Sequence, residues 1–334
     1  MRTSSGTRRK IRVGVIVGNE SWRFFAEILE YLRRHFRVSV FQPAAGFDDR
    51  AGLLGRDLKA FMDRQDISFF EWSSRLLELA TQLDTRSRIV CRLHRYELFT
   101  WAETIDWPRV DAAIFVNGVL LEKFRTYWKQ QPRQTVVIPP AVSTARFHPL
   151  GLALTHRIGT LGWLAPRKRV YELILSFSEL SRRLPRLRLS IAGGRHPSFL
   201  DYYDSLLALV DRLGLSDRVE FVGEPDHIPA WYRTIDVFVS NSYSEGLQVS
   251  LLEAMASACY CLSHAWQGVE NVLPDSQIFC ADREFQQKLL AYYAMPWPAR
   301  QRLQMGLREQ ARRDFDIKVV RRRIRSLIEE VAGR

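Results

Sequence analysis

The sequence predicts an α/β protein made of two doubly wound domains, each a parallel sheet with helices on both faces. Three observations favour this fold class. Short, nearly continuous apolar runs alternate with helical patterns along the chain, as in parallel sheets that are covered on both sides. The length of 334 residues corresponds to about two domains. Pro139-Pro140 and Pro149-Leu150-Gly151 interrupt the alternation near the middle, so we predict a domain of residues 1–150 followed by one of residues 151–311.

The first half alternates between strand and helix patterns. Val13–Val17 is a β-branched run that ends at Gly18, and Phe24–Leu32 then places its apolar residues on one helical face. The strand pattern returns at Val38–Phe41, Ile67–Phe70, Arg88–Leu93, Ala112–Val116 and Thr135–Ile138.

The same alternation resumes in the second half. Its predicted strands are Ile158–Leu161, Arg188–Ala192, Val219–Val222, Val237–Ser240 and Cys259–Ser263. Its predicted helices are Val170–Leu184, Leu200–Leu213, Ile228–Ile235 and Val249–Ser257. Ligands of such folds bind at the carboxyl ends of the strands, so two halves of this kind predict a cleft that draws site residues from both.

The composition narrows the class of protein. With 46% apolar and 26% charged residues the chain can form ordinary packed cores, which excludes disordered and collagen-like proteins. Its four cysteines lack the spacing of a disulfide scaffold or a zinc site, which indicates reduced thiols and a cytoplasmic location. No apolar stretch reaches the length of a transmembrane span, and the basic N-terminus leads into a first strand rather than into a signal-peptide core.

Two glutamates separated by seven residues follow a predicted strand in the second half. Glu245 precedes a predicted helix, and Gly246 allows the backbone to approach a ligand. The amides at the start of this helix, including those of Leu247 and Gln248, can bind an anion such as a phosphate. Glu253, about two turns along the helix, can accept hydrogen bonds from a vicinal diol such as that of ribose. The pattern therefore predicts a nucleotide-sugar site, and a pair of solvated helix carboxylates is the alternative.

The segment Ser244–Met255, which contains both glutamates, resembles the Glu-x7-Glu motif of the family 4 retaining glycosyltransferases of GT-B fold. Further segments resemble motifs of that family in the same order, namely Ile138–Val142 with Arg146–Pro149, Gly162–Lys168, Leu189–Gly194, Val219–Gly223 and Trp231–Val239. The resemblance implies two Rossmann-like domains, with a C-terminal helix of about residues 312–334 packing back on the first. It also implies sugar transfer, with retention, from a nucleotide-diphosphate donor to a glycan or lipid-linked glycan in polysaccharide or glycolipid synthesis.

Position by position, the resemblance assigns roles in the second half. Lys168 corresponds to the lysine that holds the donor diphosphate, and Glu245 to the glutamate that holds the sugar. The family's second diphosphate-binding residue, an arginine, falls on Trp163 here. Arg167 or Arg169 can take its place, or Trp163 can pack on the donor, and the sequence leaves these alternatives open.

In the first half, the resemblance points to His94, which corresponds to the histidine that contacts the donor sugar. Gly18 occupies the place of the family's paired-glycine loop, whose second glycine is Asn19 here. Glu71 and Trp72 follow another predicted strand and are candidate acceptor-side residues, because a carboxylate beside an aromatic ring suits a sugar. Simple packing against a neighbouring element is the alternative for His94 and Trp72.

Asp314-Phe315-Asp316 imitates the Asp-x-Asp metal motif of the other glycosyltransferase fold. No predicted strand precedes it, and it coincides with the start of the family's terminal helix. We therefore interpret it as a helix start and predict no metal and no cofactor, since the nucleotide-sugar is a substrate.

The chain is strongly basic, with 49 Lys+Arg against 37 Asp+Glu and a formal net charge of +12. No nucleic-acid-binding module accompanies this charge, so we expect no nucleic acid partner. Attachment to the anionic inner face of a membrane, where lipid-linked acceptors reside, fits it better. An ordinary solvated surface is an equally good explanation.

Two other functions stay open. A nucleotide-sugar epimerase of the same fold would need acid and base residues that the sequence does not identify. A non-catalytic donor-binding or membrane-surface protein is suggested by Trp163 and Asn19, the two departures from the family pattern.

Overall fold

The computed structural model describes residues 9–18, 22, 25–43, 52–149 and 154–333. The chain divides into unit 1, which comprises Met1–Pro140 and Ile317–Arg334, and unit 2, which comprises Ala141–Asp316. The boundary between Pro140 and Ala141 lies ten residues before the predicted one at residue 150. The C-terminal segment that belongs to unit 1 begins at Ile317, slightly later than the predicted residue 312.

Unit 1 contains a parallel sheet whose described strands are ordered β2-β1-β3-β4-β5-β6. The strands are β1 Arg12–Ile16, β2 Arg37–Phe41, β3 Ile67–Phe70, β4 Arg88–Leu93, β5 Ala112–Phe115 and β6 Thr135–Val137. The helices between them are α1 Ala26–His35, α2 Leu53–Met62, α3 Arg75–Thr81, α4 Arg95–Leu98 and α5 Gly118–Tyr127. Strands β3 and β5 are buried along their whole length, which explains why their sequences are continuous apolar runs rather than alternating ones.

Unit 2 contains a second parallel sheet, with described strands in the order β12-β11-β10-β7-β8-β9. The strands are β7 Arg157–Leu161, β8 Arg188–Ala192, β9 Val219–Gly223, β10 Val237–Ser240, β11 Tyr260–His264 and β12 Ile278–Phe279. The helices are α6 Val170–Arg183, α7 Leu200–Arg212, α8 Ile228–Tyr232, α9 Val249–Ala256, α10 Asp282–Ala294 and α11 Trp297–Gln310. Asp236 is buried before β10 and accepts hydrogen bonds from the backbone of Thr155 (2.9 Å) and Arg157 (3.2 Å), which fixes the start of β7 beside β10.

The last helix, α12 Ile317–Val331, belongs to unit 1 and buries an apolar stripe that includes Val320, Ile324 and Ile328. The Asp-x-Asp segment precedes it. Asp314 pairs with Arg313, and Asp316 is buried and accepts a hydrogen bond from the Thr144 hydroxyl. Within the described ranges, no helix is both long enough and apolar enough to cross a bilayer.

Candidate functional site

The loop between β10 and α9 carries Glu245, whose side chain is only 10% exposed. Its Oε1 atom lies 2.7 Å from Lys168 Nζ and 2.9 Å from Arg167 Nη1. Burial alone would raise the pKa of Glu245, but the charges of Lys168 and Arg167 outweigh it and hold that pKa below its usual value. The two cations and this carboxylate form a compact charged group at the carboxyl ends of β7 and β10. We call it the donor cation cluster, after the role that the sequence predicts for Lys168 and Glu245.

Backbone hydrogen bonds join the two loops that form this cluster. The amide of Tyr243 donates to the carbonyl of Arg167 at 2.9 Å, and the Asn241 side chain donates to the carbonyl of Arg169, also at 2.9 Å. Arg169 adopts a left-handed backbone conformation, with φ at 51°, and its guanidinium lies 3.4 Å from Asp282 and over the Tyr243 ring. Its side chain is therefore engaged within the fold, and Arg167 is the arginine that joins Lys168 at Glu245.

Two glycines bring the ends of β7 and β8 into close contact. Gly193 has φ at 124°, and a Cβ atom there would lie 1.9 Å from the Gly162 carbonyl oxygen. A Cβ on Gly162 would lie 3.4 Å from Lys168 Nζ, so the lysine ammonium rests beside bare backbone. Neither glycine was predicted as a site residue, although both directly follow strands, as glycines do where a backbone must approach a neighbour.

Glu253 lies in α9, partly exposed, with its Oε2 atom 3.0 Å from the hydroxyl of Tyr232. That hydroxyl is also 2.8 Å from the carbonyl of Ser250. Burial raises the pKa of Glu253 to about 7, against the opposing effects of Tyr232 and Arg146. A carboxyl group that is half ionised near neutral pH thus stands where the sequence predicts a ribose contact.

The other predicted donor residues lie in the same loop. Gly246 is buried, and Leu247 packs beside the unit 2 core. The Gln248 side chain is buried and accepts a hydrogen bond from the Ser240 hydroxyl, which also accepts one from Trp266. The Gln248 side chain therefore holds the loop in place. Since this side chain is buried, the group of Gln248 that could contact a ligand is its backbone amide.

In unit 1, His94 follows β4 and lies in a cluster with Glu71, Trp72 and Arg92. Glu71 Oε1 is 3.1 Å from Arg92 Nη1 and 3.6 Å from His94 Nε2, and the ring of Trp72 stacks on His94 with centroids 4.2 Å apart. Burial lowers the pKa of His94 despite the opposing effect of Glu71, so the imidazole is neutral at pH 7.

The cluster shows what surrounds Glu71 in unit 1. The Glu71 side chain is 1% exposed, and its carboxylate faces Arg92 and His94. The contact with Arg92 was not expected from the sequence, because Arg92 lies within an apolar strand, and an acceptor-side role of Glu71 stays a prediction. Trp72 is partly exposed and stays a candidate contact.

Gly18 is buried two residues after the end of β1, and its carbonyl lies 3.5 Å from the Gln42 side-chain amide. Asn19, the departure from the paired-glycine pattern, lies outside the described residues, as do Glu20 and Ser21. Trp163, the other departure, is 52% exposed at the end of β7.

Comparison with known proteins links the second half of the chain to an enzyme family. Residues 155–294 match the family model described as "Glycosyl transferases group 1". A D-inositol 3-phosphate glycosyltransferase of Nocardia farcinica (strain IFM 10152) is 33% identical over 153 residues, which cover 42% of this chain and 34% of that protein. The lipopolysaccharide core biosynthesis mannosyltransferase LpcC of Rhizobium leguminosarum bv. viciae is 32% identical over 152 residues, covering 45% of this chain and 43% of that protein. The matched stretch is thus less than half of either relative.

Solved structures match nearly the whole chain. Anabaena Alr3699/HepE, crystallised with UDP and glucose, aligns with a TM-score of 0.79 at 15% identity, over 96% of this chain and 100% of that one. Sucrose-phosphate synthase (tll1590) from Thermosynechococcus elongatus aligns with a TM-score of 0.74 at 18% identity, over 98% of this chain and 100% of that one. At such identities the likeness concerns the fold, and the predicted GT-B fold with two Rossmann-like units is confirmed.

Proposed function

We propose that this chain, whose residues 155–294 match the model of the group 1 glycosyl transferases, transfers a sugar from a nucleoside-diphosphate donor to a glycan or lipid-linked glycan. The observation that carries the proposal is the donor cation cluster of Lys168, Arg167 and Glu245. Two cations side by side match the charge of a diphosphate, and a carboxylate between them can accept hydrogen bonds from sugar hydroxyls. The relatives named above supply the reaction class.

The proposed reaction needs no metal. The bond between the anomeric carbon and the donor's phosphate oxygen breaks, the acceptor oxygen bonds to that carbon on the same face, and the acceptor proton moves to the departing phosphate oxygen. The leaving group thus serves as the base, and the configuration is retained. Lys168 and Arg167 stabilise the charge that develops on the diphosphate, while Glu245 holds the sugar. Glu253 binds the ribose, and the contact of His94 with the sugar stays a prediction.

An anionic membrane surface is the proposed location of the acceptor. Helices α1 and α12 contact each other in unit 1, where the Arg321 guanidinium lies 4.5 Å from the centre of the Tyr31 ring. Exposed basic residues on these two helices are Arg34, Lys318, Arg322 and Arg323, together with Arg33, which is paired with Glu30 at 2.6 Å. Such a basic surface favours the cytoplasmic leaflet, which carries anionic lipids. Sedimentation with phosphatidylglycerol vesicles, and reduced sedimentation of an Arg322→Gln, Arg323→Gln variant, would support it.

The enzymatic proposal is tested with a panel of UDP-, GDP-, ADP- and TDP-sugars. We expect one donor to release its nucleoside diphosphate slowly to water, with the free sugar formed in the donor's own configuration when followed immediately by NMR. Glu245→Gln should abolish this release, and Glu220→Gln, an exposed carboxylate on β9, should leave it unchanged. Conversion of a donor to its epimer would identify an epimerase, and neither binding nor release of any donor would refute the proposal.

A further inference from the structure

The parallel strands β3 and β4 bring Glu71, Arg92 and His94 together at their carboxyl ends. The register pairs Phe70 with Cys91, so Glu71, the next residue, stands beside Arg92. His94 is two positions beyond Arg92 and still has an extended backbone, and side chains at this spacing point to the same side of a sheet. We call Glu71, Arg92 and His94 the β3–β4 cluster.

Glu71 and Arg92 are too deeply buried to contact a ligand themselves. Their side chains are 1% and 0% exposed, and Glu71 Oε1 lies 3.1 Å from Arg92 Nη1. A buried ion pair adds little net stability, because the loss of hydration offsets the attraction between the charges. The stability of the sheet therefore explains this pair poorly. What the pair does provide is a fixed negative charge beside His94, the member of the cluster that a ligand can reach.

The imidazole of His94 turns one edge toward that charge. Its Nε2 atom is buried and lies 3.6 Å from Glu71 Oε1. This distance is too long for a hydrogen bond, but a carboxylate so close favours a ring nitrogen that carries a proton over one that carries a lone pair. Because burial lowers the pKa of His94, the ring is neutral at pH 7 and has a single N–H. With that proton on Nε2, the other nitrogen, Nδ1, is a hydrogen-bond acceptor.

Trp72 fixes the plane of this ring. Its indole stacks on the imidazole of His94 with ring centroids 4.2 Å apart and an interplanar angle of 30°. The stacking determines the plane of the imidazole, and the carboxylate of Glu71 determines which edge faces inward. Since Nε2 is buried although the His94 side chain is 15% exposed, Nδ1 is the ring nitrogen that is left for a ligand.

We propose that Glu71 and Arg92 are positioning residues that hold His94 as its Nε2–H tautomer, so that Nδ1 accepts a hydrogen bond from a hydroxyl of a sugar substrate. This inference rests on the proposed function, in which His94 contacts the donor sugar. Arg92 holds the carboxylate, the carboxylate orients the imidazole, and the imidazole meets the substrate. An acceptor that is already oriented loses less conformational entropy when the sugar binds, and it discriminates against a sugar that lacks the hydroxyl.

The first test is ¹⁵N NMR of the histidine side chains at pH 8, since ring nitrogens with a proton and with a lone pair differ widely in chemical shift. Three histidines serve as internal standards. Nδ1 accepts from a backbone amide in His196 (3.1 Å) and His227 (3.0 Å), which requires the Nε2–H form, whereas Nδ1 of His35 lies 2.9 Å from the Tyr31 carbonyl, which requires Nδ1–H. We expect the His94 signals, identified by their loss in His94→Ala, to match those of His196 and His227.

The second test removes the ion pair and keeps the approximate volume of both side chains. In the Glu71→Leu, Arg92→Met double variant neither member of the pair is left as an unpaired buried charge, so the sheet should stay folded, which circular dichroism checks. Without the carboxylate, the ratio of the Nε2–H to the Nδ1–H form of His94 should fall about tenfold. Arg12→Met is the matched control, because it breaks the Arg12–Asp66 pair (2.7 Å) at the other end of β3 and should leave the ratio unchanged.

The third test measures whether Glu71 acts through His94. With the donor that the nucleotide-sugar panel identifies, the double variant should release the nucleoside diphosphate about tenfold to a hundredfold more slowly than the wild type. In the His94→Ala background the same two substitutions should cause no further loss, because the side chain that they orient is gone.

A His94 signal of the Nδ1–H type in the wild type would overturn the proposal, and the wild-type spectrum gives this answer even if the double variant fails to fold. An unchanged tautomer ratio in the folded double variant would overturn it too. Equal losses of release in the wild-type and His94→Ala backgrounds would show that Glu71 acts independently of His94, as an acceptor-side residue would. If the wild type releases no donor, the proposed function fails, while the NMR spectra still decide whether the pair orients His94.

Discussion

Raising the pH from 6 to 8 is expected to strengthen nucleoside-diphosphate binding through Glu253. The Tyr232 hydroxyl has one proton but lies within hydrogen-bonding distance of two acceptors, the Ser250 carbonyl at 2.8 Å and Glu253 Oε2 at 3.0 Å. The hydrogen bond that Tyr232 donates to Glu253 stabilises the ionised carboxylate, but the same proton is shared with the Ser250 carbonyl. Burial outweighs this effect, favours the protonated form and raises the pKa of Glu253 to about 7.

The magnitude follows from this pKa. A vicinal diol donates two hydrogen bonds, so the ionised carboxylate is the form that binds ribose well. With a pKa of about 7, the ionised fraction is about 9% at pH 6 and about 91% at pH 8. If only the ionised form binds, the affinity rises about tenfold over this range, which corresponds to about 1.4 kcal/mol.

Calorimetry with UDP and GDP at pH 6, 7 and 8 measures the effect, with Glu253→Gln as the control. The terminal phosphate of the nucleotide also titrates near pH 6, so the profile of the Gln variant is subtracted from that of the wild type. We expect the Gln variant to bind the nucleotide about 1.5–3 kcal/mol more weakly than the wild type at pH 8. At pH 6 the ratio of the two affinities should be about tenfold smaller. If the wild-type affinity, after subtraction of the profile of the Gln variant, stays constant or falls as the pH rises, the reasoning is refuted. Equal affinities of the wild type and the Gln variant at pH 8 would refute it as well.

Lys168→Ala should lower turnover by a factor of about a hundred to a thousand, and it should weaken donor binding by a smaller factor, because the lysine charge interacts most strongly with the diphosphate as the glycosidic bond breaks. Equal losses of turnover, measured by initial-rate kinetics, and of donor affinity, measured by calorimetry, would contradict this. Gly193→Ala should destabilise the fold by about 3 kcal/mol or more in urea unfolding, since its Cβ would meet backbone at 1.9 Å at a φ of 124°. Gly214→Ala, with a φ of 64° and open space around the Cβ position, should cost only about 1 kcal/mol, and similar losses would show that the contact is unimportant. Glu71→Gln should cost about 3–5 kcal/mol in the same assay because it leaves the buried Arg92 without the carboxylate 3.1 Å away, and a loss below about 1 kcal/mol would contradict this.

The strands were predictable because a strand buried on both faces has a simple signature. Ala112–Val116, for example, differs from β5 by one residue. Strand β12 was missed because it has only two residues, Ile278 and Phe279, and pairs at the edge of the sheet, where no apolar run is needed. Helices α2, α3, α4, α5, α10 and α11 were not predicted either. Few residues of α10 and α11 are buried, so the apolar pattern along these two helices is weak.

The candidate site was predictable where a motif lies within one short segment, as for Lys168 and for the pair of glutamates. It was not predictable where the site depends on neighbours that are distant in sequence. Arg92 lies on β4 and Glu71 directly follows the neighbouring strand β3, but the two residues are 21 positions apart in sequence, and nothing in either segment indicates the other. In the same way, the choice between Arg167 and Arg169 depends on which side chain Asp282 and Tyr243 engage, which only the folded chain shows.

The position of Glu245 between two cations has a consequence for ligand discrimination. Glu245 neutralises part of the charge of Lys168 and Arg167, so on the proposed function an incoming anion would compete with a counter-ion that is covalently part of the chain. Inorganic pyrophosphate or a bare nucleoside diphosphate would take the two cations and leave Glu245 facing a like charge. A sugar-bearing donor would compensate for this loss, because its hydroxyls would donate hydrogen bonds to Glu245. After transfer the sugar is gone, so Glu245 would pair with the two cations again, which would favour release of the nucleoside diphosphate.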